Sequence, residues 1–121
     1  MRRVYLIILD IFLLWPVYGQ LIDSNNVQIE IKAEMDYLEY LPPGYALEDK
    51  WPLILFLHGS GERGTDLQLV KKHGPLKVAQ EMLLPFVIIG PQCHEKQSWS
   101  AELLTAFLLT IMNSYAIDPS R

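Results

Sequence analysis

The sequence predicts an α/β protein in which helices flank a parallel sheet. Two apolar runs without polar alternation, residues 53–57 and 86–89, are typical of strands that are covered on both faces. Helix-forming residues fill the segment between these runs, and an amphipathic segment follows the second run. Strand, helix, strand and helix in this order are the elements of a parallel sheet with crossover helices.

The composition excludes several classes of protein. Half of the 121 residues are hydrophobic and 20% are charged, as in an ordinary globular chain of at most one domain. The net charge of −4 comes from interspersed acids and bases, so there is no basic stripe for a nucleic acid. Cys93 is the only cysteine, which excludes an internal disulfide and a zinc site built from several cysteines. We predict no nucleic-acid partner and no cofactor.

The first residues have the pattern of a secretory signal peptide. Arg2 and Arg3 precede an apolar run over residues 4–18, and a small residue follows that run. The main competing interpretation is an uncleaved membrane anchor, although the run is shorter than the roughly 20 residues of a bilayer span. We predict a signal peptide at 1–19, a mature domain at 20–121, and a secreted or periplasmic location.

Two extended segments precede the first apolar run. Apolar and polar residues alternate over 27–32, which predicts a strand with one buried and one solvated face. Residues 37–41 form a second, aromatic-rich stretch that ends at a Pro-Pro-Gly turn. We predict that these two segments pair as an antiparallel hairpin.

Three helices are predicted in the second half of the chain. Residues 65–72 and 75–84 form two short helices that a Gly-Pro pair separates. Ser100 is suited to cap the third helix, and Asp118-Pro119 is expected to stop it. The apolar stripe of this third helix comprises Leu103, Leu104, Phe107, Leu108, Ile111, Met112 and Tyr115.

A glycine-rich turn follows the first apolar run, with Gly59, Gly61 and Gly64 within six positions. Glycine leaves the backbone open to the close approach of another molecule. Such a turn serves either a dinucleotide pyrophosphate at a helix N-terminus or an oxyanion held by backbone N–H groups.

The dinucleotide interpretation fits the Gly-x-Gly-x-x-Gly spacing but has three weaknesses. Two strand-like segments precede this strand, Gly74-Pro75 interrupts the following helix, and no acid ends the next strand to hold a ribose. A dinucleotide-binding βαβ unit therefore stays the less favoured alternative.

Cys93, His94 and Glu95 are potential metal ligands in adjacent positions. Three adjacent side chains seldom converge on one ion, and no second cluster supports them. We expect His94 to be a solvated loop residue and predict no metal site.

The turn and several other segments together resemble a known superfamily. The stretch "EYLPPGYALEDKWPLILFLHGSGERGTD", followed by "PFVIIGPQC", "SWS" and "YAIDPSR", resembles the α/β-hydrolases. Within them it is similar to exported phospholipase/carboxylesterase and dienelactone-hydrolase-like enzymes, sometimes called predicted peptidases. The resemblance covers residues 37–121.

The resemblance implies a role for the turn. In this fold the loop after the third strand donates one backbone N–H to the oxyanion hole, which we assign to Ser60 or Gly61. His58 would then brace the turn, because catalytic histidines of the family come near the C-terminus. Gly59, Glu62 and Trp99 are further candidates, as residues that line the site for a small-molecule or lipid ester.

The catalytic triad of such an enzyme is not in this sequence. The nucleophile of the fold is a serine in a Gly-x-Ser-x-Gly turn, and no serine here has glycine two residues away on both sides. The resemblance also implies that residues 53–57 lie between the strand from Phe86 and a next strand that carries the nucleophile. We therefore predict the N-terminal half of a secreted serine hydrolase, truncated before its nucleophile and inactive alone. The alternative from another class is a non-catalytic binding or interaction module.

Overall fold

The computed structural model describes residues 32–46 and 49–121. The signal peptide and residues 27–31 of the first predicted strand, 27–32, lie outside these residues. In chain order the elements are strand β1 (Tyr37–Tyr40), strand β2 (Leu53–Leu55), 3-10 helices at Ser60–Glu62 and Leu67–Lys71, helix α1 (Pro75–Met82), strand β3 (Val87–Pro91) and helix α2 (Ala101–Ser114). Over this described part, no helix combines the length and apolar character needed to cross a membrane.

The three strands form one mixed sheet in the order β1-β3-β2. β2 runs parallel to β3, with Leu53 opposite Val87, and β1 runs antiparallel to β3, with Tyr37 opposite Pro91. The predicted parallel pairing of the two apolar runs is therefore present, and the antiparallel partner of β1 is β3. The predicted pairing of β1 with the strand 27–32 depends on residues 27–31, which lie outside the described residues.

β3 is the centre of the sheet and is buried on both faces. Val87 and Ile89 pack with Ile111 of α2 and with Ile117 beyond it. Toward the other face, a Cβ on Gly90 would lie only 2.5 Å from Leu76 of α1. This close approach requires glycine, and it confirms that the second apolar run is a strand covered on both sides.

β2 is shorter than the predicted strand and has one open edge among the described residues. The Pro52 carbonyl and the Phe56 N–H bond to β3. The Trp51 N–H instead donates to the Ala116 carbonyl, and the Trp51 carbonyl accepts from the Asp118 N–H. These two bonds form an isolated parallel bridge between Trp51 and Ile117. Successive residues of a strand direct their backbone N–H and carbonyl groups to alternate edges. The backbone groups of Leu53 and Leu55 therefore point to the same edge as those of Trp51, away from β3. No further described strand pairs with them there.

The two segments around Gly74 differ from each other in helical type. The predicted helix 65–72 is a 3-10 helix, Leu67–Lys71, whose start is capped by the Asp66 side chain. α1 begins after Gly74, which has φ 72° and whose Cβ would lie 2.4 Å from the Phe56 ring. It ends at Met82, two residues before the predicted limit, because Leu83 adopts a left-handed conformation.

α2 begins where the sequence predicts and ends earlier. The Ser100 hydroxyl accepts a hydrogen bond from the Leu103 N–H (3.3 Å), which confirms Ser100 as the N-cap. The helix ends at Ser114 because Tyr115 takes an extended conformation and leads the chain into the bridge with Trp51. Asp118-Pro119 therefore follows the bridge and does not stop the helix.

Candidate functional site

The glycine turn (residues 59–64) and the post-β3 loop (residues 92–99) lie side by side. Because β2 and β3 are parallel, the segments that leave their carboxyl ends emerge at the same edge of the sheet. The Gly64 N–H donates to the Cys93 carbonyl (3.0 Å) and joins the two segments. Ligands of α/β proteins bind preferentially outside the carboxyl ends of the strands.

Ser60 and Gly61 present two adjacent backbone donors. They open a single 3-10 turn that Glu62 completes, with the Glu62 N–H donating to the Gly59 carbonyl (3.4 Å). Both residues are exposed, and neither of their N–H groups donates to an atom of the described residues. Two such donors on one turn can bind an oxyanion that comes from outside the chain.

The fold itself does not demand glycine at position 61. A Cβ built there meets no described heavy atom within 4 Å, and its φ lies outside the left-handed region. At Gly59 a Cβ would meet a carboxylate oxygen of Glu62 at 3.4 Å, which is an ordinary contact. Open space above Gly61 leaves its backbone accessible to a ligand.

The His58 ring is buried and is held by two hydrogen bonds. The Cys93 N–H donates to Nε2 (2.9 Å), so Nε2 carries no proton. Nδ1 faces the Gly59 carbonyl oxygen at 2.6 Å and must donate to it. The ring is therefore the neutral Nδ1–H tautomer, and it braces the glycine turn against the post-β3 loop.

Trp99 supports this brace. Its indole N–H donates to the His58 carbonyl (3.3 Å), and the two rings meet edge to face with centroids 5.0 Å apart. The described contacts of Trp99 thus tie it to His58. Its contact with a substrate stays a prediction.

The charged residues of the turn and Asp66, two residues after it, occupy different environments. Glu62 is largely buried, with one carboxylate oxygen 3.5 Å from His73 Nε2. Asp66 caps the following 3-10 helix through the Gln68 N–H (3.0 Å). Arg63 forms no ion pair within the described part of the chain. Contact between Glu62 and a substrate stays a prediction.

Sequence reasoning missed Gln92, the first residue of the post-β3 loop. It is 4% exposed, and its Nε2 donates to the carbonyls of Glu62 (2.9 Å) and Asp66 (2.8 Å). A polar residue directly after a fully apolar strand was the available signal, because such a residue stays buried only if the fold satisfies it.

The remaining candidates do not form a metal site or a helix-terminal phosphate site here. Cys93 is buried whereas His94 and Glu95 are exposed, and across residues 32–46 and 49–121 no three His, Cys, Asp or Glu side chains converge to hold an ion. The 3-10 helix Leu67–Lys71 separates the glycine turn from α1. The α-helix N-terminus that a dinucleotide fingerprint requires therefore does not follow the turn.

Comparison with solved structures identifies a similar protein. The crystal structure of a thermostable esterase matches with a TM-score of 0.58 and 29% sequence identity. The match covers 71% of this chain and 28% of that chain, so the similarity concerns a limited part of the esterase. No protein-family model and no curated protein matches the sequence. The chain thus has a partial α/β fold that is similar to part of an esterase.

Proposed function

We propose that this chain supplies the oxyanion-binding turn of a secreted serine hydrolase that acts on carboxylic esters. The observation that carries the proposal is the pair of exposed N–H groups on Ser60 and Gly61, which donate to no atom of the described residues. When a nucleophile attacks an ester, the carbonyl oxygen becomes an oxyanion, and N–H donors aimed at it stabilise the transition state. The similarity to part of an esterase supports this reaction class.

The contacts of His58 support a bracing role over proton transfer. A general base needs a free lone pair on its imidazole, and the unprotonated Nε2 of His58 already accepts from the Cys93 N–H. His58 thus holds the turn while another histidine serves as the base.

We further propose that the nucleophile, acid and base come from residues outside this sequence. None of its serines lies in a Gly-x-Ser-x-Gly motif, which the strained nucleophile turn of the fold uses. The substrate would be a small-molecule or lipid ester, and the reaction needs no cofactor.

The test measures oxyanion binding and ester chemistry separately. In ¹H–¹⁵N spectra of the chain, n-butylphosphonate should shift the Ser60 and Gly61 amide signals more than other signals. Gly61→Val should weaken this response by about tenfold or more, because its side chain enters the ligand's space and its Cβ meets no described atom within 4 Å. Glu62→Gln is the matched control and should retain the response.

The chemical arm uses p-nitrophenyl acetate and a fluorophosphonate probe, with no turnover and no labelled serine expected from this chain. In an esterase that contains this turn and a nucleophile, Gly61→Val should lower turnover by about a hundredfold or more, and Glu62→Gln much less. Phosphonate shifts elsewhere only, or equal losses in the two variants, would contradict the oxyanion assignment. A labelled serine in this chain would contradict the external nucleophile.

A further inference from the structure

Gln92 is a buried polar residue that ester chemistry does not use directly. Its backbone N–H donates to the Asp36 carbonyl (2.9 Å), which fixes the end of β3 to the segment before β1. Its side chain donates to different partners, the carbonyls of Glu62 and Asp66. Both hydrogens of one side-chain nitrogen are thus used on two backbone carbonyls of the segment that includes the glycine turn.

We propose that Gln92 is the positioning residue of the oxyanion-binding turn, an inference that rests on the function proposed above. Glu62 ends the first 3-10 helix, and Asp66 caps the second. In a helical turn the carbonyls point toward its C-terminal end and the N–H groups toward its N-terminal end. A bond from Gln92 to the Glu62 carbonyl therefore holds the turn so that the N–H groups of Ser60 and Gly61 point away from Gln92, into solvent.

The chemistry of the position favours glutamine. Two carbonyl acceptors need a nitrogen with two hydrogens, and burial favours a group without charge. Lysine or arginine would bury a cation, glutamate at neutral pH has no hydrogen to donate, and asparagine is shorter by one methylene. Only the NH₂ end of the amide can face two carbonyls, so these acceptors also fix its orientation.

Gln92 and His58 hold different ends of the same turn. His58 donates to the Gly59 carbonyl at its start, while Gln92 donates to the carbonyl of Glu62 at the end of its 3-10 helix. The His58 ring is in turn held by the Cys93 N–H. Two consecutive residues after β3, one through its side chain and one through its backbone, therefore position the donors.

The experiment uses the full ¹⁵N-labelled chain and three variants. Gln92→Met keeps a similar volume without donors, and Gln92→Glu keeps the shape with acceptors only. Gln97→Glu is the matched control, because it makes the same substitution at an exposed position of the same loop. Exchange with D₂O is measured for the Glu62 and Gly64 amides relative to β3 amides, and n-butylphosphonate is titrated against the Ser60 and Gly61 signals.

We expect both side-chain amide protons of wild-type Gln92 to exchange much more slowly than those of Gln97. Both Gln92 variants should speed exchange in the turn by about tenfold relative to β3, since each leaves the Glu62 and Asp66 carbonyls without the Gln92 donor, and should weaken phosphonate binding by about tenfold. Gln97→Glu should change neither. If Gln92→Glu does not fold, Gln92→Met decides.

Fast exchange of the wild-type Gln92 protons would overturn the inference whatever the variants do. In the Gln92 variants, amide exchange in the turn that rises only in proportion to amide exchange in β3 would overturn the inference as well, because that result reports general destabilisation. If the wild type does not bind phosphonate at Ser60 and Gly61, the proposed function fails, and the exchange data still decide whether Gln92 positions the turn.

Discussion

The Asp118 carboxylate accepts hydrogen bonds from the two residues that follow Pro119. The Ser120 hydroxyl (2.6 Å) and N–H (2.9 Å) and the Arg121 side chain (2.8 Å) all donate to it. These bonds, the Ser120 hydroxyl first, lower the pKa of Asp118 from 3.8 to about 2. The Asp118 N–H also donates to the Trp51 carbonyl. Residues 118–121 therefore directly follow the bridge between Ile117 and Trp51, at the open edge of β2.

The lowered pKa predicts an acid-dependent contribution of Asp118 to folding stability. A group whose folded pKa is depressed stabilises the protein above its unfolded pKa, and this contribution disappears as the pH falls through the folded value. The free energy of unfolding of Asp118→Asn should therefore lie below that of the wild type at pH 6. The difference should shrink between about pH 4 and pH 2, as urea titrations across this range can measure. A difference that is constant with pH would contradict the prediction.

Single residues differ in how far the sequence reveals their role. The glycine pattern draws attention to the turn, because glycine in a turn is a local signal, and the oxyanion role of Ser60 and Gly61, which the family resemblance implies, stays a prediction. A polar residue after an apolar strand indicates that Gln92 needs partners but does not identify them, since they lie 26 and 30 residues away and only the fold brings them together. The same holds for the hydrogen bond that His58 Nε2 accepts from the Cys93 N–H, 35 residues away.

At the level of elements, glycine sets how closely helices approach the sheet. A Cβ on Gly90 of β3 would lie 2.5 Å from Leu76 and 2.8 Å from Val70. Neither neighbour can withdraw freely, because Val70 is fully buried and Leu76 belongs to α1. The distance of α1 and the second 3-10 helix from β3 thus depends on this one position.

Gly90→Ala should lower the free energy of unfolding by about 1–3 kcal/mol, since it overpacks the layer between β3 and α1. Gly61→Ala is the matched control, because its Cβ meets no described atom and its φ is ordinary. The control should change stability little or raise it slightly. Chemical denaturation of the three proteins measures the difference, and equal stability of the two variants would show that β3 and α1 are less tightly packed than described.

The elements themselves were predictable where local chemistry sets their limits. The uniform apolar run identified β3, and Ser100 marked the start of α2. Other limits depend on tertiary partners. β2 stops at Leu55 as the chain turns away into the His58 brace, and α2 stops at Ser114 as the chain turns to pair with Trp51.

At the scale of the whole molecule, the open edge of β2 predicts self-association. No strand of the described residues pairs with the backbone groups of Leu53 and Leu55 at this edge, and an apolar groove there is lined by Leu108 and Met112 of α2. Unpaired strand edges beside apolar surface recruit other chains. Residues 20–121 should therefore show a solution mass that rises with concentration in sedimentation or light scattering. A monodisperse monomer at all concentrations would contradict this prediction.

The N-terminal sequence predicts export of the molecule. With a signal peptide at 1–19, the mature protein begins at Gln20 and is found outside the cytoplasm. Mass spectrometry of protein from its native host measures this directly. A soluble cytoplasmic species that retains Met1 would exclude cleavage and export.

The bracing of the glycine turn from the end of β3 limits how this turn could be transplanted. Copying residues 59–64 onto another scaffold would move the two N–H donors without the groups that aim them. A working graft needs both parallel strands in their present register, together with Gln92 and the Cys93 backbone. The smallest unit that can be transferred is therefore the two strand ends together with the segments that follow them. Transfer of the loop alone should give a flexible peptide whose N–H donors have no preferred direction.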